Sequence, residues 1–155
     1  MPGWLKALLI VVVVLVLVAV GVIGAGVYYV MRNKDTWIAR GKEIAEEGKN
    51  FGRDTDNQGC VDEGVSRYKK EPGLTSIFSN TIFMQTCLDA SKPTPGFCED
   101  VPKSMEFMKS AEWKLKQCRM VGLQSDNNCQ NLFTPVQQFC ENRYRRSRES
   151  NSNQE

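Results

Sequence analysis

Six cysteines, Cys60, Cys87, Cys98, Cys118, Cys129 and Cys140, are the residues of this 155-residue chain best equipped for chemistry. Such thiols can hold a metal, exchange disulfides or staple a fold, and their spacing separates the three uses. No pair brackets just two residues, so neither a zinc knuckle nor a Cys-x-x-Cys redox site can be read from the sequence. The chain has no histidine, which removes the commonest neutral-pH general base and the commonest metal ligand together. Serine–histidine, cysteine–histidine and His-Glu-x-x-His mechanisms are thereby excluded. Carboxylates cluster at Glu43, Glu46 and Glu47 and again at Asp62 and Glu63. Paired carboxylates can do acid–base work, but these read as solvated helix faces. The sequence therefore predicts no enzyme activity, no cofactor and no metal. An even set of cysteines without metal spacing suits an oxidising compartment, and their expected use is as structural disulfides.

The elements that must position these sulfurs follow from hydrophobic periodicity. From Ala7 to Val30 there is no charged residue. At ~1.5 Å per residue that run covers a hydrocarbon core of ~30 Å. In lipid a lone segment satisfies its backbone only as a helix, and Trp4, Tyr28 and Tyr29 sit where interfacial aromatics belong. The expectation is a retained, single-pass transmembrane anchor at residues 1–31, in preference to a cleaved signal peptide. Gly21 and Ala25, four apart, offer a small-residue face for self-association. Residues 32–58 read as a juxtamembrane helix, carrying Trp37, Ile38, Ile44 and Ala45, and a Gly- and Asp-rich linker from Gly52 to Gly59.

Residues 59–146 read as a small, disulfide-stapled bundle of about four helices, making the fold class all-α. Val61, Val65 and Tyr68 mark the first, stopped by Pro72-Gly73. Leu74, Ile77, Phe78, Met84, Cys87 and Leu88 mark the second, which ends before the segment SKPTPG. A long third helix is expected to bury Val101, Met105, Met108, Ala111, Leu115 and Cys118 as one stripe, up to Gly122. Asp126 is the expected cap of a fourth, with Cys129, Leu132, Phe133, Val136 and Cys140 on its apolar side. Thr134-Pro135 would kink or restart it. Residues 147–155 read as a disordered polar tail.

Up-down packing of those helices restricts the disulfides. Cys98 and Cys118 would stand ~30 Å apart on one helix, against a Cα limit of ~7 Å. The turn between the third and fourth helices brings Cys118 to Cys129. The preferred set is Cys60–Cys87, Cys98–Cys140 and Cys118–Cys129; the alternative joins Cys87 to Cys98 and Cys60 to Cys140.

Two surfaces remain. Arg143, Arg145, Arg146 and Arg148 follow the last apolar positions. They favour a helix carboxyl end through its dipole, or an anionic partner such as lipid headgroups. With Tyr144 alone among them and no aromatic platform for stacking, nucleic acid is not expected. Trp113 is expected to pack on another helix. Lys and Arg are more numerous after the apolar run than before it, which read literally puts the domain in the cytoplasm. Long domains translocate largely regardless of such charge, and the cysteines favour the outside. The reading is an extracytoplasmic domain, with a bacterial inner membrane and its periplasmic side as the expected setting. The expected partners are the lipid bilayer, through the anchor, and a protein of the membrane or envelope. The expected function is non-catalytic binding or scaffolding within an envelope assembly. The alternatives are a thiol–disulfide redox protein with one labile cysteine pair, or a membrane-tethered sensor.

Overall fold

A computed structural model describes residues 3–32 and 34–152 of the chain. Among them every regular element is helical: α1 (Gly3–Arg32), α2 (Lys34–Asp54), α3 (Asn57–Lys70), α4 (Leu74–Ala90), α5 (Phe107–Met120), α6 (Cys129–Leu132) and α7 (Thr134–Ser152). They divide into two compact units, Met1–Arg40 and Gly41–Glu155.

In the first unit, Leu9–Tyr29 of α1 forms a helix long and apolar enough to cross a membrane, with none of it buried against protein. β-Branched residues are poor helix formers in water, but in lipid the internal hydrogen bonds of a helix leave them no competitor. Gly21, Gly24 and Gly26 face open space.

The second unit is a helical bundle that begins inside α2. Gly48 and Gly52 are buried. A methyl group at Gly48 would run into the Phe83 carbonyl and Thr86 hydroxyl of α4, and one at Gly52 into the Cys87 carbonyl. Phe51 beside them meets Phe83, ring centres 5.8 Å apart. These glycines let two helix backbones touch. The linker expected from Gly52 to Gly59 is accordingly replaced by helix up to Asp54, and only Thr55 and Asp56 separate α2 from α3. Asp56 caps α3, its Oδ1 accepting the Gly59 N–H at 2.9 Å.

Val61, Val65 and Tyr68 of α3 pack with Phe83, Met84, Cys87 and Leu88 of α4, and with Leu132, Phe133 and Val136 from the carboxyl side of the chain. α3 stops at Lys70, where Pro72 withholds a backbone donor. α6 and α7 are one helix interrupted at Phe133, so Thr134-Pro135 restarts it; Pro135, buried, takes a first-turn position where a missing N–H costs nothing.

The third helix differs from expectation. It begins at Phe107, and residues 98–106 are irregular, with turns at 98–100 and 104–105. Gln137, buried on α7, donates from Nε2 to the Pro102 carbonyl at 2.9 Å and to Ser110 Oγ at 2.7 Å, and Ser110 Oγ reaches the Lys103 carbonyl. Those bonds satisfy the crossing as an irregular segment. α5 turns Ser110 and Cys118 inward, with Trp113 edge-on to Phe133 at 6.2 Å. Met105, Met108, Ala111 and Leu115, expected in the core, lie in water instead. Leu74 and Phe78 on α4 are likewise exposed. At the other end, residues 147–152 of the expected polar tail continue α7 as helix, the stretch SRESNS holding no proline or glycine to stop it; residues 153–155 lie outside those described.

Replacing Gly52 by leucine should lower stability by at least ~1–3 kcal/mol, the usual range for overpacking. Chemical denaturation of the full chain in detergent, followed by far-ultraviolet dichroism beside a Gly41→Ala control, measures it.

Candidate interaction surfaces

The sulfurs come together in three pairs, Cys60–Cys87, Cys98–Cys140 and Cys118–Cys129, with Cα separations of 5.8, 5.4 and 6.0 Å. The first ties α3 to α4, the second the crossing segment to α7, and the third the end of α5 to α6. Cys98 is half-buried and the other five cysteines are buried. A short step of parallel backbone pairing backs the first bridge. The Asn57 N–H donates to the Lys92 carbonyl, and the Lys92 N–H to the Thr55 carbonyl. The Asn57 side chain, fully enclosed, donates to Ser91 Oγ at 2.8 Å and accepts the Thr94 N–H at 3.0 Å. The prolines of SKPTPG thus lie in a segment whose polar groups are met by α3. The Tyr144 hydroxyl closes its far end on the Cys98 carbonyl at 2.6 Å.

The carboxylate clusters are split by the fold. Glu47 of α2 and Glu63 of α3 both accept from Arg67, at 2.8 and 2.9 Å, and the guanidinium lies 3.9 Å over the Phe83 ring. Burial works against the Arg67 charge, but the bonds to Glu47 and Glu63 outweigh it and raise its pKa. The same contact holds Glu47 below its ordinary carboxylate range. Glu43, Glu46 and Asp62 face solvent. This is a clamp between helices, built by a stacked cation and two acids. Tyr68 donates to Asp126 Oδ2 at 2.8 Å; burial and that carboxylate raise its pKa. Asp126 thus holds the α5–α6 turn, where its Oδ1 also accepts the Asn128 N–H. Lys114, half-buried on α5, donates to Thr134 Oγ1 at 3.1 Å, and burial lowers its pKa.

The four arginines of α7 are all exposed, and helix geometry parts them into two faces. Arg143 and Arg146 line a shallow groove with Phe139, Asn57, Ser91 and Asp89, and Arg143 stands 5.7 Å from the Phe139 ring. Arg145 and Arg148 point to other sides of the helix. The groove could take a small anionic group, though Asp89 on its wall opposes one.

A surface that sequence reasoning missed lies on α5 and the turn just before it. Met105, Phe107 and Met108 are 83%, 79% and 85% exposed, and Leu115 is 46% exposed on the same side. Around the helix, a charged groove is lined by Lys109, Lys116, Arg119, Glu99, Asp100 and Glu112. The available signal was Trp113: a large aromatic on another side of the helix from Met108 competes for the core, and when it packs on Phe133 the methionines turn outward.

No protein family matches the chain, and no curated protein or solved structure is detectably similar to it.

Two outcomes follow from these contacts. Exchanging Cys60 and Cys87 together for serine removes a crosslink worth about 3 to 4 kcal/mol in the loop-entropy description, and should lower the unfolding midpoint of the full chain accordingly. The Glu47 contribution is present above its unfolded pKa, near 4.5, and lost as pH falls through its lower folded value. The difference in thermal midpoint between the parent and Glu47→Gln should therefore be seen at pH 7 and shrink toward pH 3, measured by dichroism; a gap that widens in acid contradicts the clamp.

Proposed function

We propose that this chain is a non-catalytic, membrane-anchored protein that displays its helical domain on the extracytoplasmic side of a cell membrane, as a binding or scaffolding component of an envelope assembly. A bacterial inner membrane with a periplasmic domain is the setting we infer. The observation that carries the reading is the set of three internal disulfides joined in sequence to a span-length apolar helix. Crosslinks of this kind persist outside the reducing cytosol. The burial of five cysteines supports staples over a redox centre, because exchange requires a thiolate to reach the sulfur in line. Shallow, open surfaces with exposed arginines and apolar side chains suit a macromolecular partner better than an enclosed small molecule.

The reading predicts that protein released from its native membrane carries no alkylatable thiol until it is denatured and reduced, and that an added protease reaches the domain from the extracytoplasmic face of intact spheroplasts. Mild detergent should co-purify at least one other envelope protein in fixed ratio. Six free thiols, or a protected domain, would refute the location. A detergent-solubilised chain with no companion would refute the role.

A further inference from the structure

The outward face of α5 goes beyond that reading and rests on it only for the membrane in which the chain is tested. Met105, Phe107 and Met108 keep about four-fifths of their surface in water, and Leu115 nearly half. Together they form an apolar patch on the order of 500 Å², within the range of the largest patches on soluble monomers, which are often functional. Nothing in the bundle needs them there. The inward side of α5 is already occupied by Ser110, Trp113 and Cys118. With a polar rim added, the face approaches the ~800 Å² per partner of a standard specific interface.

We propose that this face is a homodimer interface, covered by the same face of a second copy of the chain. The rim decides the occupant. A lipid surface or an acidic partner would call for an excess of cations. The groove beside the patch instead mixes the cations Lys109, Lys116 and Arg119 with the carboxylates Glu99, Asp100 and Glu112, and Glu106 is already tied to Lys109. A rim carrying both signs in near balance can complement itself across a two-fold axis, where each residue type meets its opposite on the other copy. Ala111, small and exposed, sits midway between Phe107 and Leu115. An antiparallel pair of α5 helices with the axis at Ala111 sets Phe107 of each copy against Leu115 of the other, and lets the helices approach closely. Confinement to a membrane would raise the effective concentration of the second copy without any further contact. The faces of the anchor at Gly21, Gly24 and Gly26 are open to a neighbour as well.

The test replaces Phe107 by the photo-crosslinker benzoylphenylalanine in the full chain in its native membrane, with the same replacement at the exposed Phe78 of α4 as control. Illumination should give a product of twice the chain mass from position 107, at about tenfold the yield from 78. Its crosslinked peptide should map to the α5 segment around Leu115. Ala111→Arg, which adds a buried like-charge pair at the axis, should reduce that product by about tenfold or more. Retention of the three disulfides by non-reducing peptide mapping shows that the variant still folds. Equal yields at both positions, adducts to lipid or to a different protein, or a yield unchanged by Ala111→Arg would each overturn the proposal.

Discussion

Chain entropy is the constraint on which this domain turns. Its core rests on a limited set of large side chains, chiefly Tyr68, Phe83, Met84, Leu88, Leu132 and Phe133. Each fixed residue costs roughly 1–2 kcal/mol of backbone freedom, and small domains bury a smaller share of their surface in return. Sulfur crosslinks act on the other side of that balance, by restricting the unfolded ensemble. They also decide where polar groups can go. With Cys98 held to α7 and Cys87 to α3, the crossing between α4 and α5 has no freedom to become helix or strand, and Asn57, Gln137 and Tyr144 satisfy its backbone instead.

A second layer of organisation is polar, and it works between helices. Arg67 joins α2 to α3 and stacks on α4, so one cation contacts three elements. Tyr68, its sequence neighbour, lies about 100° further around α3 and fixes the α5–α6 turn through Asp126. Adjacent residues of α3 thus secure both the amino and carboxyl sides of the bundle.

Much of this could be read from the chain, and the failures share one cause. The all-α class, the span-length apolar helix, the ends of α3 and α4 and the restart at Pro135 follow from strong local signals: a charge-free run, Pro72-Gly73, and the proline's fit to a first turn. The sulfur pairs that the structure brings together are those the helix order favours. The stripe from Met105 to Leu115 was misread because periodicity says which residues share a face, never what covers it, although Val101 and Cys118 at its two ends do pack inward as expected. Met108 and Trp113 compete for the same core, and packing with Phe133 settles it for tryptophan. Gly52 was misread for a related reason. A glycine signals a turn only when nothing lies against it, and here another backbone does. The arginines of α7 form a run in sequence and separate faces in space, because consecutive residues on a helix diverge by ~100°.

Among the described residues, the backbone step that joins Thr55 and Asn57 to Lys92 is the one place where this helical domain borrows the hydrogen bonding of a sheet. The bridged residues, Asp56 and Lys92, are 36 apart in the chain, yet the step closes beside the bridge at Cys60 and around an enclosed asparagine. The amide protons of Asn57, Lys92 and Thr94 are therefore sealed by tertiary structure, though two of them belong to a proline-rich loop. Solvent can take them only when α3 and the crossing separate. Their deuterium uptake would report the opening of the whole stapled half of the domain, in a stretch that by composition alone looks like the loosest part of the molecule.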